Sequence, residues 1–331
     1  MDTVRFGMIG AGSVTEVKSA PALNKVPGSA LVRVMRRDPG KLADYARRHG
    51  ITQFSTRVED ILTDPDINAV YIATPPDSHA HYTLLAAKQG KAVYVEKPMA
   101  RTVEEAQTMV DACHQAGVPL FVAYYRRELP RFLKAKELID SGALGQLRSF
   151  QYHYACPVPG TDPDRPWLLL REAAGGGLLY DIGSHMIDTL IFLLGQPLEA
   201  VGRSANQSQA RQTDDVTSAL MRFESGAQGS LQLSFNADTK EDRLWLSGSR
   251  GSLTFSIMGQ EPLRFEHNGQ TETIDVPTPE HVQQPLITRV VNTLLGKDSL
   301  DGTGASPLQT QQILEALDNS GTWVWDGAAR R

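Results

Sequence analysis

Over the first 124 residues, short apolar runs rich in β-branched side chains alternate with helical patterns. The runs are "VRFGMIG" (4–10), "ALVRVM" (30–35), "AVYIAT" (69–74), "AVYVEK" (92–97) and "LFVAY" (120–124). Between them lie "DPGKLADYARRHG" (38–50), "SHAHYTLLAAKQG" (78–90) and "TVEEAQTMVDACHQAG" (102–117); two of these start at an Asp or Thr able to cap, and all end at Gly. Strand runs separated by helices cannot close as hairpins. They need crossover connections and hence a parallel sheet covered on both faces. The first expectation is therefore a doubly wound α/β domain over residues 1–123.

Beyond residue 124 the pattern changes. Helical stretches at 129–142 and 181–194 are followed by alternating β runs, "DDVTSALMRFESGAQGSLQLSFNA" (214–237) and "RLWLSGSRGSLTFSI" (243–257), with turn signals inside each. Strands joined by short turns are antiparallel, so residues 124–331 are expected to form an α+β domain on a large, mostly antiparallel open sheet, with helices near 280–296 and 305–320. At 331 residues the chain suits two such domains. A net charge of −5 lacks the basic footprint that a nucleic-acid partner demands. Cys113 and Cys156 are far apart and form no paired motif, so neither a disulfide framework nor a thiolate metal site is expected. No apolar run reads as a membrane span and no leader pattern precedes the first run, which leads us to expect a cytoplasmic protein.

The first chemical motif is "GMIGAGSVTE" (7–16). Gly10 and Gly12 follow the first run and a helix opens behind them, so main-chain N–H groups of Gly12, Ser13 and Val14 can approach a pyrophosphate at the helix N-terminus. Thr15 stands where this fingerprint has its third small residue, and is expected to loosen helix-to-strand packing. The second run ends in "RRD": Arg36 and Arg37 occupy the place where an acidic residue would hold the ribose of NAD. A guanidinium can grip a 2′-phosphate, so NADP(H) is favoured over NAD(H), the alternative being a solvated pair of arginines opening a helix. Asp38 reads as the cap of that helix.

In an open α/β sheet, ligands bind at the carboxyl ends of the strands. Thr74, Pro75 and His79 in "YIATPPDSHAHY" are therefore candidate cofactor neighbours, with capping or packing equally open to His79. The same rule brings Lys97, in "AVYVEKPMA" (92–100), to the crevice. There an ammonium could stabilise charge developing on a substrate oxygen, with Glu96 as its partner and Pro98 fixing the backbone. A second constellation lies in "AAGGGLLYDIGSHMIDTLIFLLG" (173–195). Asp181, His185 and Asp188 fall at i, i+4 and i+7 on one helical face, and a histidine flanked by carboxylates suits general acid/base work. No further ligand pattern accompanies them, so no metal is expected. Tyr125, Arg126, Trp167 and Arg171 are candidate substrate contacts, the alternatives being core packing for the Trp and a solvated helix start for the arginines.

Together the glycine loop, "EKP" and "GGGLLYDIGSH" resemble the glucose-fructose oxidoreductase, inositol dehydrogenase and MocA (Gfo/Idh/MocA) family, over nearly the whole chain. The resemblance implies a Rossmann domain carrying NAD(H) or NADP(H). It also implies a C-terminal open-sheet domain that holds substrate and often forms a homodimer or homotetramer interface. By motif, Lys97 would contact the reacting oxygen, His185 would be the acid/base and Asp181 the carboxylate beside it. The expected activity is hydride transfer on a sugar, cyclitol or related polyol. Alternatives are a glycosidase that uses its nicotinamide with no net redox change and a dinucleotide-binding sensor without catalysis.

Overall fold

The computed structural model describes residues 2–160 and 165–327, and the chain divides into two compact units. The first comprises Met1–Tyr125 and Pro279–Leu308. Its sheet runs in the order β3 (Phe54–Ser55), β2 (Ser29–Met35), β1 (Val4–Ile9), β4 (Ala69–Ile72), β5 (Ala92–Val95), β6 (Leu120–Val122), and every pairing is parallel. This is the Rossmann order, with its switch point between β1 and β4. The apolar runs become strands because both faces are covered: all four residues of β4 and of β5 are buried.

The N-terminal part of this unit carries α1 (Ala20–Lys25), α2 (Pro39–His49), α3 (Glu59–Leu62), α4 (His79–Lys88) and α5 (Val103–Ala116). The expected caps form. The Asp38 carboxylate accepts from the Lys41 N–H at 2.9 Å, and the Thr102 hydroxyl from the Glu105 N–H at 3.1 Å. Gly50 (φ 65°) and Gly117 (φ 64°) close α2 and α5 in the left-handed region that side chains resist.

The second unit comprises Arg126–Thr278 and Gln309–Arg331. Its strands are β7 (Leu147–Ala155), β8 (Pro197–Ala205), β9 (Val216–Phe223), β10 (Gln228–Ser234), β11 (Glu241–Gly248), β12 (Gly251–Phe255), β13 (Leu263–His267), β14 (Gln270–Ile274) and β15 (Thr322–Val324). They form one sheet in the order β14-β13-β12-β11-β7-β10-β9-β8-β15, antiparallel except where β7 runs parallel to β10. Helices α6 (Pro130–Asp140), α7 (Arg171–Ala174) and α8 (Ser184–Leu194) belong to this unit. The stretch Arg171–Leu194 is apolar and long enough to cross a membrane, contrary to expectation from the sequence, but 83% of its most apolar window is buried within the protein.

One boundary differs from expectation. The segment 279–308, which carries α9 (Gln284–Leu294) and the first turn of α10 (Ala305–Asp318), packs with the first unit. Leu286, Ile287, Val290 and Val291 are buried. The Leu120 N–H donates to the Gly302 carbonyl at 2.7 Å, and a Cβ at Gly302 would lie 2.8 Å from Pro119, so only glycine lets the chain pass this close to β6. The amphipathic period marks α9 as a helix but does not say which unit covers its apolar face.

Candidate active site

In the first unit, the loop after β1 lies at the switch point. Gly10 has φ 95°, and a Cβ there would sit 2.6 Å from the Ala73 carbonyl oxygen at the end of β4. Gly12 is different: a Cβ would meet nothing within 4 Å, so this stretch of backbone flanks open space. Ser13 is exposed and Val14 half-buried at the start of the following helix, whose first N–H groups have no acceptor within the helix. Open backbone, free donors and a helix N-terminus fit a pyrophosphate.

Thr15 does not loosen the turn as expected. It is fully buried, and its Oγ1 donates to the Gly12 carbonyl at 2.8 Å, tying the loop to the helix from within. The helix makes a π turn at Thr15–Ser19, a feature frequent at functional sites. The half-buried Arg36 donates through Nη1 to the Ala11 carbonyl, which brings its guanidinium to the glycine loop, while Arg37 is exposed. Asp38 is committed to capping α2, as expected.

Thr74 and Pro75 are half-buried at the end of β4. His79 is not placed to touch a ligand. It is fully buried; Nε2 lies 2.8 Å from the Thr74 carbonyl, and Nδ1 lies 3.0 Å and 3.3 Å from those of Pro98 and Met99. Burial outweighs these carbonyls and holds the imidazole below its ordinary pKa. With a single ring proton it donates to one side at a time, and it braces the Thr74 loop against the loop that follows Lys97.

The half-buried Lys97 follows β5 by two residues and precedes the cis peptide to Pro98. Glu96 is 5% exposed. Its Oε1 accepts from the Tyr71 hydroxyl at 2.6 Å and from Gln283 Nε2 at 2.7 Å, and its Oε2 lies 3.4 Å from the Lys97 N–H. The Gln283 carbonyl in turn accepts from the Tyr94 hydroxyl at 2.9 Å, and the Tyr71 hydroxyl lies 2.9 Å from Ser19 Oγ. Burial pushes both tyrosines well above their ordinary pKa, so they remain hydroxyl donors.

In the second unit, His185 lies in the first turn of α8 and is 4% exposed. A π turn at Leu179–Gly183 precedes α8 and contains Asp181, so the α-helical spacing assumed between Asp181 and His185 does not hold through it. Asp181 Oδ2 accepts from Arg165 Nη1 at 3.2 Å. Asp188 has a structural role instead. It is 1% exposed and gripped by Arg127 Nε and Nη2 at 2.8 and 2.6 Å. Burial pushes its carboxyl above the usual range against the pull of Arg127. It anchors α8, and no sequence spacing announced its partner 61 residues earlier.

Two of the three glycines before α8, Gly176 and Gly177, serve close packing. At Gly176 a Cβ would lie 2.3 Å from the Tyr180 ring, and at Gly177 (φ 61°) 2.1 Å from Thr213 Oγ1. Among the candidate substrate contacts, Trp167 is half-buried in the turn Pro166–Leu169 and Tyr125 is 6% exposed at the end of the first unit. Arg126 and Arg171 are engaged within the second unit. Arg126 Nη1 donates to the Ile257 carbonyl at 2.6 Å, and Arg171 Nη1 binds Asp318 at 2.7 Å. Neither partner was visible in the sequence, because each lies more than 130 residues away. Among the described residues no group of three or more His, Cys, Asp or Glu is arranged to hold a metal ion.

Family models match both units. "Oxidoreductase family, NAD-binding Rossmann fold" matches residues 4–124, and "GFO/IDH/MocA C-terminal domain" matches residues 132–254. A relative from Formosa agariphila, "Oxidoreductase P35", is 38% identical over 89% of this chain and 92% of its own. The chain belongs to the Gfo/Idh/MocA oxidoreductase family. Another relative, the 1,5-anhydro-D-fructose reductase of Ensifer adhaerens, is 33% identical over 78% of each chain. Among solved structures, levoglucosan dehydrogenase in complex with NADH and L-sorbose superposes with a TM-score of 0.86 at 25% identity, covering 98% of this chain and 99% of that one. The family model over residues 4–124 is that of an NAD-binding Rossmann fold, and the glycine loop and the β4 loop both lie within it. The residues that sequence reasoning missed, Tyr71, Tyr94, Gln283 and Arg127, read as apolar-run tyrosines or solvated polar positions until the fold gives them their partners.

Proposed function

We propose that this protein is a cytoplasmic, NADP(H)-linked dehydrogenase or reductase of a cyclic sugar or related polyol. Hydride from or to the nicotinamide, when bound, would be exchanged at a carbon bearing oxygen. The chain's own residues would do the rest. The first-turn N–H groups at Gly12, Ser13 and Val14 hold the pyrophosphate, and Arg36, with Arg37, grips the 2′-phosphate by charge-assisted hydrogen bonds. Lys97 donates to the reacting oxygen and stabilises charge that develops on it. His185 supplies or removes the proton on that oxygen, with Asp181 as its carboxylate neighbour. Trp167 and Tyr125 offer aromatic faces to a polyhydroxylated ring.

The observation that carries this reading is the Arg36 guanidinium at the open Gly12 cradle, where an NAD-type site would present an acid. Relatives named for an anhydro sugar and a sugar complex support the substrate class. The sheet of the second unit supports a homodimer or homotetramer: the paired Val201 and Leu220 are 39% and 61% exposed, and Val324 on β15 is 62% exposed. The test is to denature the purified protein, identify any released dinucleotide, then screen keto-sugars and polyols for nicotinamide absorbance change in both directions. NADP bound in preference to NAD, with turnover of a cyclic polyol, is expected. Binding of NAD alone would overturn the assignment of Arg36, and turnover without absorbance change would favour the glycosidase.

A further inference from the structure

Lys97 has a neighbour whose environment is unusual for a carboxylate. Glu96 is buried, and the groups that meet its Oε1 are neutral: the Tyr71 hydroxyl at 2.6 Å and the Gln283 amide at 2.7 Å. Gln283 is itself fully buried. Its orientation is fixed from both ends, since Tyr94 O–H donates to Oε1 and leaves Nε2 to donate to Glu96. It lies at the N-terminus of α9, on the segment that returns to the first unit from 187 residues further along the chain. The same segment reaches the cofactor helix: His281 Nδ1 donates to the Val17 carbonyl inside the π turn at 2.7 Å, while its Nε2 lies 2.6 Å from Lys25 Nζ.

We propose that Gln283 is a positioning residue for Lys97, acting through Glu96. With Oε1 held by Tyr71 and Gln283, the carboxylate plane is set and Oε2 is turned to the main-chain N–H of Lys97. On the other side the buried His79 ring packs against the Pro98 and Met99 carbonyls, with Nδ1 at 3.0 and 3.3 Å, so the backbone that carries the ammonium is contacted before and after it. This rests on the reading of Lys97 as the group that holds the reacting oxygen.

The test is the pH dependence of kcat in Gln283→Glu, in the double exchange Glu96→Gln/Gln283→Glu and in Lys97→Ala, with thermal midpoint and cofactor KM measured beside it. In Gln283→Glu two buried carboxyls meet at one hydrogen-bond distance. They share a proton at low pH and repel once both ionise, so kcat should show a loss between about pH 5 and about pH 9 additional to whatever the wild-type profile shows. A displacement of Lys97 on the order of 1 Å would cost about 100-fold in kcat, with cofactor KM much less affected. In the double exchange every donor finds an acceptor again. The new amide at position 96 donates to the new carboxylate at position 283 and to Tyr71, whose hydroxyl turns to Ser19, and Tyr94 donates to that same carboxylate. The thermal midpoint and kcat should then recover together, because the hydrogen bonds that orient the side chain at position 96 are restored. Should Gln283→Glu not fold, the double exchange alone decides. Recovery of the thermal midpoint there without recovery of kcat, or a pH profile of Gln283→Glu that follows the wild type, overturns the proposal. An unimpaired Lys97→Ala variant would instead overturn the reading of Lys97.

Discussion

Replacing Asp188 by alanine removes the anchor of the helix that carries His185. The carboxylate is 1% exposed and receives two charge-assisted bonds from Arg127, at 2.8 and 2.6 Å; the Arg127 side chain retains 23% of its exposure. Breaking a buried pair by removing one partner costs about 3–5 kcal/mol, chiefly from the charge left behind. Arg127 keeps partial access to water, which puts the expected loss at the lower end, about 3 kcal/mol. For a unit of this size that corresponds to a fall of roughly 6–12 °C in Tm. Asp188→Asn, which keeps one acceptor for Arg127, should lose about 1–2 kcal/mol. The assay is urea unfolding followed by circular dichroism for wild type and both variants, with m-values compared. A loss below about 1 kcal/mol for the alanine variant, or an asparagine variant no better than alanine, would refute the view that this pair anchors α8.

Three further outcomes are expected. Gly177→Ala, at φ 61° with Thr213 2.1 Å from the new Cβ, should destabilise the second unit by more than about 1 kcal/mol in the same urea assay, since the residue must adopt a left-handed backbone and displace its neighbour. Arg36→Ala should weaken NADPH binding about 10- to 100-fold by fluorescence titration and leave NADH binding within a few-fold, as one charged hydrogen-bonding group is lost. Burial pushes the Asp215 carboxyl up, but the Ser208 hydroxyl and the main-chain N–H groups of Gln207 and Ser208 outweigh it and hold the group below its ordinary value. Its contribution is thus present above about pH 4 and lost as pH falls through the lower folded value, so Asp215→Asn should flatten the acid limb of stability measured by thermal unfolding.

Much of the fold was legible because its signals are local. β-branched runs alternating with capped helices specify a parallel sheet wherever they occur, and Asp38, Thr102, Gly50 and Gly117 do in the structure what their positions announce. The glycine loop and the placement of Lys97 at the carboxyl edge follow from the same grammar. What stayed hidden depends on distant partners. Asp188 reads as part of a histidine site until Arg127 claims it, and Arg171 reads as a free donor until Asp318 does. Gln283 is an ordinary polar residue at a helix start until the return of 279–308 buries it beside Glu96. The π turns at Thr15–Ser19 and Leu179–Gly183 also escape a reading by α-helical period, since the pattern of apolar residues does not record one inserted residue.

The central claim is that Lys97 and His185 serve the same substrate oxygen. The most direct measurement is single-turnover hydride transfer in wild type, Lys97→Ala, His185→Ala and the double variant, all saturated with cofactor. Each single variant should lose about 100-fold or more in rate with cofactor affinity retained, and the double variant should be little worse than the poorer single, because groups acting on one atom are not additive. A single variant turning over at the wild-type rate, or losses that multiply in full, would contradict the account.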